Sequence, residues 1–268
     1  MTGSRLTIAA LLTLAGFLLL PVPGILAQEP SSTDLMAAAN GRYERGEFAE
    51  AAQQYENLIA MGYENTALYY NIGNAYLESG DPGRAILNYL RAEELSPRNP
   101  NVRANLDLAR SMTLDRIETE RDSLVESVSY LGRRWVTPGE LGTVALLFWV
   151  IGALVISTLL LWRTAPLRAA LRIVGGVSTV TALLAFALLL NMLYANPYDS
   201  AGVVTAESVE ALSGPGFQYT EEFTLHSGAQ VRLLDARQGW MQVALPGGEI
   251  SGWMPAHAAE LVRRGGNE

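Results

Sequence analysis

The chain has 268 residues, a formal net charge of −8 and no cysteine. All 19 basic residues are arginine, which excludes sites that need a lysine or a thiolate, such as a P-loop, a Schiff base or a cysteine metal centre. No basic stripe is present to displace counterions from phosphates, so nucleic acid is excluded as a partner.

Residues 1–27 have the pattern of a secretory signal peptide. Arg5 precedes an apolar run that extends from Leu6 to Leu20, and Ala27 follows two prolines at a plausible cleavage site. The sequence leaves open whether cleavage occurs. An uncleaved segment would add a third membrane span without changing the topology of the rest.

Residues 28–131 contain a repeat with a period of 34 residues. When residues 32–65 are shifted by one period onto 66–99, matching pairs appear at Asn40 and Asn74, Gly46 and Gly80, Ala51 and Ala85, and Tyr55 and Tyr89. A fixed period of this length is typical of helical repeats. The pattern resembles the tetratricopeptide repeat (TPR), which implies an all-α solenoid of helix pairs. We therefore predict a TPR domain of two repeats.

Residues 100–131 follow the second repeat and are predicted to cap it. Apolar residues recur there at helical spacing: Val102, Leu106, Ala109, Ile117, Leu124, Val128 and Leu131. One interpretation is a capping helix followed by an amphipathic helix over residues 121–135, with a juxtamembrane segment at 132–140. A continuous helical stalk is the alternative.

The resemblance to TPR proteins also implies a ligand groove, because the first helix of each repeat lines a concave face in that family. Carried over by position, the candidate groove residues are Asn40, Tyr70, Asn71, Asn74 and Asn105. Asparagine amides can hold an extended peptide by its backbone. The alternative is that these residues merely tolerate solvent. Basic residues are sparse on this face, so a clamp for a peptide carboxylate is not expected.

Two uncharged apolar stretches predict a membrane hairpin, with transmembrane helices at 141–162 and 173–195 joined by a loop at 163–172. At ~1.5 Å per residue the first stretch spans ~33 Å, enough for a hydrocarbon core of ~30 Å. The hairpin places both flanking soluble segments on one side of the membrane. A buried helical hairpin in a soluble domain is the alternative.

Arginines set the expected orientation of this hairpin. The loop carries Arg163, Arg168 and Arg172 without an acidic residue, whereas Arg133 and Arg134 precede the first span. Positive charge stays cytoplasmic, so the loop is predicted inside. The chain is then expected in a bacterial inner membrane, with both soluble domains in the periplasm.

Residues 196–268 change to short alternating runs separated by glycine turns, which predicts a small all-β barrel with its own core. The Gly214-Pro215 turn and the Gly-Trp pairs at Trp240 and Trp253 resemble the bacterial SH3-like (SH3b) domain. That resemblance implies binding of short peptides or cell-wall fragments. Trp240 and Trp253 are candidate site residues, with a role as core aromatics as the alternative.

The order of parts resembles the BatE-type proteins of the Bat (Bacteroides aerotolerance) operon family. This resemblance implies a scaffold that works with Bat-type membrane proteins carrying von Willebrand A domains, in a complex linked to stress tolerance. We expect a non-enzymatic adaptor without cofactor or metal. His226 and His257 are isolated in sequence, and no nucleophile–base pair favours a periplasmic hydrolase. The alternative function is sensing or binding of peptidoglycan.

Overall fold

A computed structural model of the chain describes residues 31–115, 135–161, 165–194, 199–247 and 250–263. The predicted signal peptide and almost all of the predicted amphipathic helix at 121–135 lie outside the described residues. The described part consists of a helical array, two long apolar helices and an antiparallel sheet.

Five helices form the array: α1 (Ser32–Glu44), α2 (Phe48–Ala60), α3 (Thr66–Glu78), α4 (Pro82–Leu95) and α5 (Pro100–Ser111). The first helices of the two repeats, α1 and α3, begin one period apart. Each leads into its partner through a glycine in the left-handed region, Gly46 at φ 79° and Gly80 at φ 85°. Only glycine adopts this conformation without steric cost, which explains why it recurs in both turns.

Small and aromatic residues hold the helix pairs together. Ala51 and Ala85 occupy the same position in the two repeats and are fully buried. Tyr55 and Tyr89, four residues further along each repeat, are fully buried as well. A Cβ atom at Gly73 would lie 2.6 Å from the Tyr89 ring, so α3 and α4 approach more closely than any larger residue there permits. This region is consistent with the predicted TPR array. The helix α5 covers its end with Val102, Leu106 and Ala109.

The two apolar helices are α6 (Pro138–Leu161) and α7 (Ala165–Tyr194), and both are long and apolar enough to cross a membrane. They pack side by side, with Gly175 against Val155. The second helix begins earlier than predicted, so Arg168 and Arg172 lie within α7 rather than in a loop. Pro166 sits in its first turn, where proline removes no helical hydrogen bond.

Seven strands form the C-terminal sheet: β1 (Ala201–Val204), β2 (Ser208–Leu212), β3 (Glu221–His226), β4 (Gln230–Arg237), β5 (Trp240–Ala244), β6 (Ser251–Pro255) and β7 (Ala259–Leu261). A short 3-10 helix, Ala256–Ala258, precedes the last strand. The strand order is β3-β2-β6-β5-β4-β1-β7 and every pairing is antiparallel. The sheet has its own core, which includes Leu225, Val243 and Met254.

The predicted barrel is not closed, because β3 and β7 are end strands that do not pair with each other. The reason lies at the β7 edge, where the helical array takes the place of a further strand. Arg91 of α4 donates to the carbonyl oxygen of Leu261 at 2.9 Å and to that of Val262 at 3.0 Å. A side chain thus satisfies backbone groups that strand pairing would otherwise satisfy.

In addition to its own core, which agrees with the expectation of a separate core for this segment, the sheet contributes residues to the core of the helical array. Val203 and Val262 are buried in the cluster that fills the repeats. A Cβ atom at Gly83 would lie 2.2 Å from the Ser227 Oγ and 3.0 Å from the Val204 carbonyl oxygen. The second helix of the second repeat therefore lies directly on the sheet.

Candidate functional site

A polar pocket of about 130 Å³ lies between α1 and α3, the first helices of the two repeats. It is lined by Asn40, Tyr43, Glu44, Tyr55, Asn71 and Asn74. The pocket is where the TPR resemblance places a ligand groove. Three of the five residues predicted for that groove therefore line one pocket.

The two repeats make the same hydrogen bond at the base of this pocket. The Tyr55 hydroxyl donates to the Asn40 amide oxygen at 2.6 Å, and one repeat later the Tyr89 hydroxyl donates to the Asn74 amide oxygen at 2.7 Å. These bonds orient the two asparagine side chains. Within the described parts of the chain, neither amide nitrogen has a hydrogen-bond partner, so both are available as donors to a ligand.

Asn71 stands apart from the other candidate residues. Its side chain is half-buried and makes no hydrogen bond to any described residue. An amide carries two donors and an acceptor, and a half-buried amide without a protein partner has little structural role. Asn71 is thus the residue most free to bind the backbone of an extended peptide.

Asn105 and Tyr70 brace the pocket rather than line it. The Asn105 amide nitrogen donates to the Asn74 amide oxygen at 2.8 Å and to the Tyr70 hydroxyl at 3.1 Å. These bonds tie α5 to α3. The structure therefore separates the predicted groove residues into a lining set and a bracing pair.

Tyr43 and Glu44 line the pocket but are not among the predicted groove residues, and the charge of Glu78, also not predicted, acts on Tyr43. Glu44 and Glu78 are the last residues of α1 and α3 and lie one period apart. That repetition is a signal that identifies them, because the same feature marked Asn40 and Asn74. Neither carboxylate forms an ion pair with any of the described residues.

The pocket is acidic and its tyrosines stay protonated. Burial, Tyr43 and Glu44 raise the pKa of Tyr55 to about 12. Burial and the charge of Glu78 raise the pKa of Tyr43 above its usual value. The neighbouring cations are already engaged, since Arg42 and Arg45 both pair with Glu47, at 3.4 Å and 2.8 Å.

The two candidate tryptophans of the sheet have different environments. Trp253 is only 8% exposed, and the Arg237 guanidinium lies 5.5 Å from the centre of its ring. Trp240 is half-buried and lines an open pocket with Pro215, Arg237 and Gln238. The ring of Phe217, 83% exposed, meets Trp240 edge-on at 4.9 Å. Trp240 therefore belongs to a surface and Trp253 to the packed interior.

A tetratricopeptide repeat family model matches residues 36–100, the segment from α1 to the start of α5. Residues 36–100 are therefore TPR repeats, and repeats of this kind generally bind protein partners. No curated protein matches the chain significantly.

Proposed function

We propose that this chain is a non-enzymatic, membrane-anchored adaptor that holds a protein partner in its TPR groove. The observation that carries the proposal is the pocket between α1 and α3, in which the Asn71 amide has no hydrogen-bond partner among the described residues. Amide donors above two tyrosine–asparagine pairs suit the backbone carbonyls of an extended segment. Asparagine side chains, rather than a catalytic group, would bind the partner at this site.

The proposed setting is a Bat-type complex in the bacterial inner membrane, with von Willebrand A domain proteins as partners and a role in stress tolerance. The order of parts supports it: TPR repeats, two apolar helices and a C-terminal antiparallel sheet. The helical array lies at the start of α6, because the Arg98 guanidinium contacts the Glu140 carboxylate. A partner held in the groove would therefore sit close to the membrane.

The docking of the sheet on α4 supports a hairpin topology. Val262 is buried in the core of the repeats, and both apolar helices lie between these segments in the chain. Segments that share a core lie on the same side of a membrane. Arg163, Arg168 and Arg172, which lie between the two apolar stretches of the sequence, then favour the periplasm for both.

Cysteine labelling tests this orientation, because the chain has no cysteine of its own. We would place single cysteines at Ala60, Leu167 and Glu222 and treat intact cells with a maleimide that does not cross the inner membrane. Ala60 and Glu222 are exposed. We expect labelling at both and protection at Leu167; labelling at Leu167 alone would reverse the proposed compartments.

Co-purification tests the adaptor function. We expect the full chain, extracted in mild detergent, to retain membrane proteins that Asn71→Ala loses. Asn101→Ala is the matched control, because Asn101 is an exposed asparagine on α5 that does not line the pocket. Equal retention by Asn71→Ala and the native chain would contradict a role for the groove.

The second candidate function is binding or sensing of peptidoglycan by the C-terminal domain. The exposed Phe217 ring against Trp240 favours it, because aromatic faces beside polar groups can stack on sugars. We expect isolated sacculi to retain the full chain and to lose Phe217→Ala, a surface change that leaves the core intact. Unchanged retention of Phe217→Ala would leave this candidate without support.

A further inference from the structure

We propose that the partner segment held in the TPR groove carries an arginine or lysine side chain that lies between the carboxylates of Glu44 and Glu78. This inference rests on the proposed adaptor function, and it adds the chemistry of the partner. The groove would select a cationic segment rather than a peptide carboxylate.

The first support is the position of the two carboxylates at helix ends. Glu44 is the last residue of α1 and Glu78 the last residue of α3, where the helix dipole is negative. A carboxylate at that end is unfavourable in the free protein. Both repeats nevertheless place one there: Glu44 lines the pocket, and the charge of Glu78 acts on Tyr43, which also lines it. A cation between them would relieve two unfavourable placements at once.

The second support is that no described cation of the chain fills this place. Arg42 and Arg45 pair with Glu47, and the last turn of α3 has no basic residue. Arg84, on the next helix, contacts Asp81 and the Tyr76 ring. Arg45 therefore acts on Glu44 only through its charge, and neither Glu44 nor Glu78 forms an ion pair with a described residue.

The third support is that the other lining residues suit the rest of such a ligand. Tyr43 presents a half-buried aromatic ring beside Glu44, which can pack against the aliphatic stem of an arginine or lysine. The amide nitrogens of Asn40 and Asn74 can donate to backbone carbonyls on either side. Backbone binding and charge recognition would then occur in one groove.

A pair of blocked pentapeptides tests the proposal with the full chain in nanodiscs of uncharged phosphatidylcholine. The probes are acetyl-Ala-Ala-Arg-Ala-Ala-amide and the same peptide with citrulline, which keeps the shape and removes the charge. We expect the arginine peptide to bind about fivefold more tightly, as for a contact with exposed carboxylates, and this binding to weaken with salt.

Charge removal on the protein provides the matched test. The double variant Glu44→Gln with Glu78→Gln should bind the arginine peptide as weakly as the native chain binds the citrulline peptide. It should also unfold at a slightly higher temperature, because repulsion at two helix ends is lost. The control is Glu50→Gln, which removes an exposed carboxylate in the first turn of α2. It should leave peptide binding unchanged and should not raise the unfolding temperature.

Two results would overturn the proposal: equal affinity for the two peptides, or undiminished affinity in the double variant. Absence of any binding of the arginine peptide to the native chain would overturn it as well. If Asn71→Ala still loses its co-purified partner in those cases, the adaptor function stands and only the cationic preference fails. If no partner depends on Asn71 either, both fail.

Discussion

The two faces of the TPR array differ in whether another part of the chain covers them. The face formed by the second helices is sealed, since α4 lies on the sheet and buries Arg91 against two backbone carbonyls. The face formed by the first helices is open, and its Asn71 amide has no partner among the described residues. A short repeat array must cover apolar surface to be stable. Here the chain covers one face with its own C-terminal segment and leaves the other face uncovered by the described residues.

Disrupting the contact between α4 and the sheet should cause the largest loss of stability. Arg91→Ala removes the guanidinium that bonds to Leu261, Val262 and Glu260, and leaves buried carbonyls without donors. We expect a loss of about 3 kcal/mol in the free energy of unfolding, measured by denaturant titration in detergent. Arg84→Ala, on the same helix but partly exposed, should cost less than about 1 kcal/mol. Equal losses would show that the α4–sheet contact contributes little.

Substitution of two helical glycines tests the same contact between α4 and the sheet. Alanine in place of glycine normally stabilises a helix by about 0.5–1 kcal/mol, which we expect for Gly41→Ala in α1. Gly83→Ala should instead cost about 2 kcal/mol, because its Cβ would overlap the Ser227 and Val204 atoms of the sheet. The change in unfolding temperature shows whether each variant is stabilised or destabilised. A stabilised Gly83→Ala would mean that the sheet does not press on α4 at this point.

Two asparagines at the open face should differ in how much they contribute to stability. Asn105→Ala removes hydrogen bonds to Asn74 and Tyr70 and should cost about 1 kcal/mol of stability. Asn71→Ala removes no hydrogen bond to a described residue and should change stability by less than about 0.5 kcal/mol. Denaturant titration of both variants measures this difference. A loss of stability in Asn71→Ala as large as in Asn105→Ala would assign Asn71 a structural role.

A further effect should appear only at high pH. The pKa of Tyr55 is raised from 10.0 to about 12 in the folded chain, so the folded state holds this proton more tightly than the unfolded state. The resulting stability is fully present below pH 10 and is lost as the pH rises toward 12. Tyr55→Phe should therefore show a shallower decline of unfolding free energy over this range. An unchanged slope would place the loss on other tyrosines.

The repeats and the apolar helices could be predicted because their signals are local. Tyr55 and Tyr89, Gly46 and Gly80 recur at one fixed period, and each helix of a repeat buries residues three or four positions apart. The same period brings Asn40 and Asn74 to one pocket. Glu44 and Glu78 share it and could have been found in the same way.

Other features depended on the tertiary structure. The open sheet could not be foreseen, since Arg91 resembles an ordinary surface arginine in sequence and its acceptors are 170 and 171 residues away. The same holds for the division of the groove residues, because whether an asparagine braces or binds depends on which neighbours occupy its amide.

Periodicity and hydropathy act over short segments of chain, so the amino-acid order was enough to predict the helical repeats, the apolar helices and the change to β structure. The position of the sheet on α4 and the open pocket between α1 and α3 depend on how distant segments pack. Backbone carbonyls have no sequence signature as acceptors, so a contact such as that of Arg91 with Leu261 and Val262 exists only once distant segments have packed together.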